Sequence, residues 1–145
     1  MKLDAKSTIE TGKAILGIEL GSTRIKAVLI DQENKPIAQG SHTWENQLVD
    51  GLWTYSIEVI WSGLQDCYAD LRSNIKNLYG DVEIENLAAI GVSAMMHGYM
   101  PFNEKEEILV PFRTWRNTNT GRAAAALSEL FVYNIPLRWS ISHLY

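Results

Sequence analysis

The sequence predicts an α/β fold in which a three-stranded antiparallel meander is extended by a parallel strand that a crossover helix delivers. Three observations predict it. Three short apolar, β-branched runs stand near the start, joined by polar turns. One long segment then repeats its apolar residues at helical spacing. A nearly continuous apolar run follows, as a strand buried on both faces would.

The elements follow in order. Residues 4–13 are polar with weak helical character, and residues 1–13 read as a polar N-terminal extension, a flexible leader. Ala14 to Leu20 and Ile25 to Asp31 are the first two strands, joined by Gly21-Ser22-Thr23-Arg24. Pro36 to Trp44 is the third, after the polar turn Gln32 to Lys35. Such short connections make antiparallel neighbours. Ser56 to Leu78 is a helix whose Ile57, Ile60, Trp61, Leu64, Tyr68, Leu71, Ile75 and Leu78 form one apolar stripe. Ser56 suits its N-cap, Glu58 its first turn and Gly80 its stop. Leu87 to Val92 is the buried strand, and a long helix before it permits parallel pairing onto the meander.

Beyond it, Gly98 to Phe102 and Ile108 to Phe112 flank the turn Asn103-Glu104-Lys105-Glu106 as a small hairpin. Asn119 or Thr120 caps a helix through Ala123 to Phe131, and Pro136 interrupts the chain again. Leu137 to Tyr145 is rich in bulky apolar groups, whereas chain ends usually fray into polar residues, so truncation is expected.

Composition narrows the function. Of 145 residues 46% are apolar, enough for a core, and 21% are charged, which argues against disorder. A net charge of -4 disfavours nucleic acid and anionic membranes as partners. No run is long and apolar enough for a membrane span, and the start has no apolar signal core. Cys67 stands alone in a helical pattern, so it is read as a packed thiol, with no disulfide and no zinc-type cluster. A soluble, cytoplasmic protein is expected.

The first informative constellation is Glu19, Gly21, Ser22, Thr23 and Lys26. Glu19 alternates onto the face opposite Leu16, Ile18 and Leu20. A carboxylate ending a hydrophobic strand is costly unless paired, solvated or near a cation. Gly21 lets the turn approach a ligand, and the backbone N–H groups with the Ser22 and Thr23 hydroxyls suit phosphate oxygens. Lys26 adds positive charge. A carboxylate and a polyphosphate repel, so a divalent ion such as Mg²⁺ belongs between them. An ordinary hairpin is the plain alternative, and neither the Walker nor the dinucleotide glycine pattern is present.

Leu16 to Asp31, LGIELGSTRIKAVLID, resembles the first phosphate motif of the FGGY carbohydrate kinases, in the actin-like, ribonuclease H-like superfamily of phosphotransferases. The resemblance implies ATP and Mg²⁺ as cofactors. It assigns phosphate binding to Gly21, Ser22, Thr23 and Lys26, and metal binding through water to Glu19, where the family usually carries Asp.

A second constellation is Val92 to Gly98. His97 lies where the chain leaves a strand, and a neutral imidazole there can bond a sugar hydroxyl or serve as a structural residue. Met96 can line a pocket or a core. Met96-His97-Gly98 is similar to the Met-His-Gly stretch of xylulokinase-like members, which contributes to their sugar pocket; Met95 stands where they commonly have Gln. Pro111 to Asn117 resembles their Pro-x-x-x-Trp-x-Asp segment, which puts Trp115 and Asn117 near the sugar, with Asn in place of Asp. Core packing is the alternative for Trp115, and solvation or pairing for Arg113 and Arg116.

The resemblance covers Ala14 to Tyr145. It implies a ribonuclease H-like lobe, residues 14–145 being an incomplete N-terminal kinase domain without the second lobe. The activity implied is ATP-dependent phosphorylation of a sugar or polyol hydroxyl, a xylulose-like ketose by preference. In that family the Asp base, second phosphate motif and adenosine pocket lie beyond residue 145. No catalytic residue is therefore assigned, and the chain alone is expected to be inactive. Glu83, Glu85, Glu104, Glu106 and Glu107 read as solvated surface. Expected partners are the sugar or polyol, the missing lobe and a second copy in a homodimer. A non-catalytic sugar-binding module and a sugar-independent ATPase of the same superfamily remain as alternatives.

Overall fold

A computed structural model describes residues 4–131. Pro136 and the apolar stretch Leu137–Tyr145 lie outside them. The elements are α1 (Ala5–Glu10), β1 (Ile15–Leu20), β2 (Arg24–Ile30), β3 (Pro36–Thr43), β4 (Gln47–Val49), β5 (Leu52–Thr54), α2 (Ile57–Tyr79), β6 (Ala89–Ala94) and α3 (Gly121–Phe131). They fall into two compact units, one of residues up to Glu45 with Ile57–Met95, the other of Asn46–Ser56 with the residues from Met96 on.

The first unit holds a four-stranded sheet in the order β3-β2-β1-β6. The meander β1-β2-β3 is antiparallel, and β6 runs parallel to β1. This is the topology the sequence predicts. The Asp31 carboxylate fixes the β2–β3 turn by accepting from the N–H groups of Glu33 (2.9 Å) and Lys35 (2.8 Å). Strand alternation puts Ile25, Ala27 and Leu29 on one face, where they are almost fully buried.

α2 packs on β3 and β2. Its buried residues are Gly63, Cys67, Leu71 and Ile75, a ridge at every fourth position. The broad stripe expected from periodicity is narrower, because Trp61 and Leu78 stay 62% exposed and Tyr68 is exposed as well. The ridge is made for close approach: a Cβ on Gly40 of β3 would lie 2.4 Å from the Cys67 carbonyl oxygen. Burial pushes the Cys67 thiol pKa up, the nearby Asp70 adds to this, and a hydrogen bond with the His42 backbone partly offsets it. The helix stops at Gly80, whose φ of 79° is left-handed and whose N–H reaches the Lys76 carbonyl.

α2 also covers the outer edge of β3. Asp70 accepts from the Ser41 N–H (2.8 Å), Asn74 donates to the Gln39 carbonyl (2.9 Å), and the Tyr79 hydroxyl donates to the Ile37 carbonyl (2.9 Å). An edge whose backbone groups are taken by side chains is no template for another strand. The opposite edge corrects an expectation. β6 was expected to be buried on both faces, yet it is exposed throughout, with Ile90 at 61% and Val92 at 66%. α2 packs on the strands remote from β6, and no other element of the described residues covers it.

The helical character expected of residues 4–13 is present as α1, but the segment is docked rather than a flexible leader. From Asp4 onward it is a capped helical turn: Asp4 accepts from the Ser7 N–H at 2.8 Å. Thr8 and Ile9 are buried, because one apolar residue on a short helix suffices to dock it.

In the second unit, β4 and β5 form a hairpin absent from the sequence reading. Asp50 and Gly51 both have positive φ (49° and 77°), as a two-residue type I′ turn requires. The hairpin expected around Asn103 is present as two isolated bridges, Tyr99–Arg113 and Phe102–Ile108. Asn103 closes its turn by accepting from the Lys105 and Glu107 N–H groups, both at 2.9 Å. Tyr55 and Phe112 stack with ring centroids 6.1 Å apart. No helix of the described residues is long and apolar enough to cross a membrane.

Candidate functional site

In the first unit the β1–β2 register pairs Glu19 with Lys26 directly, and Nζ lies 3.2 Å from Oε2. Both side chains are about half exposed, at 54% and 52%. The carboxylate thus avoids the cost of a buried charge by pairing and solvation together. Ser93 of β6 lies beside Glu19 in register, and Gly17 pairs with Gly91. These residues, with Val28, line a shallow open cavity on the sheet. A Cβ on Gly91 would meet nothing within 4 Å.

The turn itself is braced. Gly21 donates to the Arg24 carbonyl at 3.0 Å, and a Cβ at Gly21 would lie 2.9 Å from that oxygen. Two more carbonyls of the turn point at one side chain and its own backbone. The Trp44 indole donates to the Gly21 carbonyl at 2.7 Å, and the Trp44 N–H donates to the Thr23 carbonyl at 3.1 Å. A trans peptide is planar, so fixing each carbonyl also fixes the direction of the next N–H, which points away from Trp44. Trp44 is only 7% exposed. Trp44 follows β3 directly, and nothing local in the sequence marks it as a brace of this turn.

The expected sugar residues fall in the second unit. Met96 is 74% exposed, and His97 has φ 61°, a left-handed conformation uncommon outside glycine. Gly98 faces the Phe112 ring, which a Cβ would approach to 2.8 Å. Trp115 is 51% exposed, so core packing does not account for it.

Asn117 is engaged on all sides. Its Oδ1 accepts from the Trp53 N–H at 2.9 Å, while Nδ2 donates to the carbonyls of Trp53 (2.8 Å) and Thr114 (3.0 Å). Both amide hydrogens, which an amide reading a sugar would have offered, are committed to backbone. The Thr114 N–H reaches the same Trp53 carbonyl at 3.1 Å. Arg116 lies over the Trp53 ring, 3.6 Å from its centroid, and donates to Asn46 Oδ1 at 3.1 Å. Arg116 is therefore paired. Nothing local in the sequence marks Trp53 and Asn46, because their partners lie 64 and 70 positions away.

No group of three or more His, Cys, Asp or Glu side chains suited to a metal occurs among the described residues. A single exposed carboxylate beside a turn fits Mg²⁺ all the same, since that ion keeps most of its waters and takes phosphate oxygens as further ligands.

Residues 14–135 match the model of the N-terminal domain of the FGGY family of carbohydrate kinases. Xylulose kinase of Bacillus subtilis (strain 168) is 24% identical over 119 residues, which cover 82% of this chain and 23% of that protein. Among solved structures, xylulose kinase from Bifidobacterium adolescentis superposes with a TM-score of 0.66 at 16% identity, covering 83% of this chain and 21% of its own. Plasmodium falciparum glycerol kinase with ADP gives 0.60 at 16% identity, covering 80% and 23%. The chain spans about a quarter of the length of these relatives.

Proposed function

Because the chain belongs to the FGGY family of carbohydrate kinases, as an N-terminal domain of it, we propose that it serves ATP-dependent phosphorylation of a sugar hydroxyl, with a xylulose-like ketose as substrate, in the cytoplasm. The observation that carries this is the Glu19–Lys26 pair beside a glycine turn whose carbonyls Trp44 holds.

In this reading Ser22 and Thr23 donate to phosphate oxygens, Gly21, whose N–H is given to the Arg24 carbonyl, shapes the turn for their close approach, and Lys26 offsets their charge. Glu19 holds a hydrated Mg²⁺. That ion, when bound, neutralises charge on the phosphates. In the second unit Met96, His97, Gly98 and Trp115 face the sugar, His97 by hydrogen bonding and Trp115 through its exposed ring. None of these residues is assigned to take the proton from the sugar hydroxyl.

The test uses the longest natural polypeptide that carries this sequence, with ATP, Mg²⁺ and a panel of pentuloses, hexuloses and polyols. Sugar-dependent ADP release is expected, fastest with a xylulose-like ketose, and none is expected from the 145-residue chain alone. ADP release indifferent to every sugar would favour a sugar-independent ATPase. Sugar-induced thermal stabilisation without any nucleotide effect would favour a binding module; at 100 times Kd a ligand adds about 2.7 kcal/mol.

Trp44→Phe keeps most of the buried ring and removes the indole donor. One hydrogen bond contributes about 0.5–1.5 kcal/mol, so the KM for ATP should rise about 2- to 10-fold, with sugar KM unchanged. Steady-state kinetics with each substrate varied in turn checks this, and equal shifts in both KM values would count against a local brace.

A further inference from the structure

We propose that Asn117 is a positioning residue, whose carboxamide clamps β5 onto the segment Thr114–Asn117 and so holds the exposed Trp115 indole in place. The link to the sugar rests on the function proposed above; the clamp itself rests on geometry alone.

The hydrogen-bond count carries the argument. The Trp53 backbone offers one N–H and one carbonyl, and Asn117 meets both, at 2.9 and 2.8 Å. The second amide hydrogen goes to the Thr114 carbonyl at 3.0 Å. A carboxamide has one oxygen and two hydrogens to give, and all are used with matched polarity. The Thr114 N–H fills the second lone pair of the Trp53 carbonyl. The side chain thereby acts as an extra rung beside β5, where no further strand pairs among the described residues.

Arg116 closes the circuit. Its guanidinium carbon sits 3.6 Å from the centroid of the Trp53 ring, and the group is tied to Asn46, which is itself only 6% exposed. Thr114 on one side of Trp115, and Arg116 with Asn117 on the other, are thus both fixed to the β4–β5 hairpin or its approach. Trp115 stands between two anchored neighbours with its own ring half in solvent. A ring whose backbone is held on both sides meets a ligand at a smaller ordering cost, because only its side-chain torsions are left to fix.

The clamp also explains why an amide stands at this position. A carboxylate accepts only. At position 117 it would face two carbonyl oxygens that now receive hydrogens. Asn117→Asp is therefore a sharp probe, because protonation returns one donor to it.

The experiment compares the longest natural polypeptide with its Asn117→Asp and Asn117→Ala variants from pH 5.5 to pH 8. Sugar KM of Asn117→Asp at pH 8 is expected to rise about tenfold, as for one strong hydrogen bond, with ATP KM within about twofold. Its Tm should lie below wild type at pH 8, and both deficits should shrink toward pH 5.5. Asn117→Ala lacks an ionisable group, so its deficits should not depend on pH. Wild-type Tm and sugar KM for Asn117→Asp at pH 8 would overturn the clamp, as would a deficit equal at every pH. Should the wild type show no sugar-dependent turnover, the function proposed above fails, and the pH-dependent Tm of Asn117→Asp still decides the clamp. A Tm that recovers while sugar KM stays normal would sink its link to the sugar.

Discussion

Gly40→Ala is expected to destabilise the first unit strongly, although it adds a single methyl group. The added Cβ would lie 2.4 Å from the Cys67 carbonyl oxygen, 2.4 Å from the Leu71 nitrogen and 2.8 Å from the Leu71 Cα. All three are helix backbone atoms and cannot swing aside as a side chain would. α2 must therefore lift away from β3. Lifting it loosens Leu71 and Ile75, which are 0% and 1% exposed. It also draws Asp70, Asn74 and Tyr79 off the β3 edge, leaving the Ser41 N–H and the Gln39 and Ile37 carbonyls without those partners. Overpacking against yielding neighbours costs about 1–3 kcal/mol, and this site belongs at or above the upper end. About 3 kcal/mol lowers Tm by roughly 10 °C for a domain of this size. Gly91→Ala is the control, since its Cβ meets nothing within 4 Å and should leave Tm within about 2 °C. Thermal denaturation followed by circular dichroism distinguishes them. A Gly40→Ala protein as stable as the Gly91→Ala control would mean that α2 does not rest on Gly40.

That example also shows which parts of the fold the sequence discloses. Alternation in β1, β2 and β3 and the long period of α2 gave the element types and the parallel return, because these signals are local and repeated. The packing contacts are not. Gly63 and Gly40 look like weak points in a helix and a strand, yet a Cβ on either would run into the opposing layer, on Gly40 into Cys67 and Leu71 and on Gly63 into Ile25 and His42. Trp61 and Leu78 fit the helical period but lie to the side of the contact ridge. β6 reads as a buried strand because burial is what an apolar run usually signals; its sequence says that a cover is needed and cannot say which residues supply it. The β4–β5 hairpin leaves little periodic signal, because its strands are three residues each and do not alternate in burial. Asp50-Gly51 was the signal that could have found it.

The candidate site divides in the same way. Gly21, Ser22, Thr23 and the Glu19–Lys26 pair were legible because they are neighbours along a single hairpin. Trp44 was not, since its role depends on a bond across 23 positions to a backbone carbonyl. The type of Asn117 is visible in the sequence but its partners are not, because a side chain bonding to backbone 64 positions away leaves no period or spacing to read.

Glu19→Gln should separate stability from function. The Glu19–Lys26 pair is about half exposed at both ends, and such pairs contribute at most about 1 kcal/mol. Tm should therefore stay within a few degrees of wild type. Turnover by the longest natural polypeptide should fall about 100-fold or more, as expected when charge stabilisation at a phosphoryl-transfer site is lost. Nucleotide binding should move the other way. With the carboxylate neutralised, Lys26 no longer spends its charge on Glu19, and the repulsion between Glu19 and phosphate is gone. ATP in the absence of Mg²⁺ should therefore bind several-fold more tightly, by an amount that shrinks as salt screens the exposed charges. Calorimetric titration without metal, set beside turnover across a Mg²⁺ series, reads both effects. Wild-type turnover at saturating Mg²⁺ would remove Glu19 from metal binding, whereas a Tm loss of the size expected for Gly40→Ala would make the pair a structural one. Glu19→Asp completes the series: it keeps the charge on an arm one methylene shorter, so it should retain most of the turnover that Glu19→Gln loses.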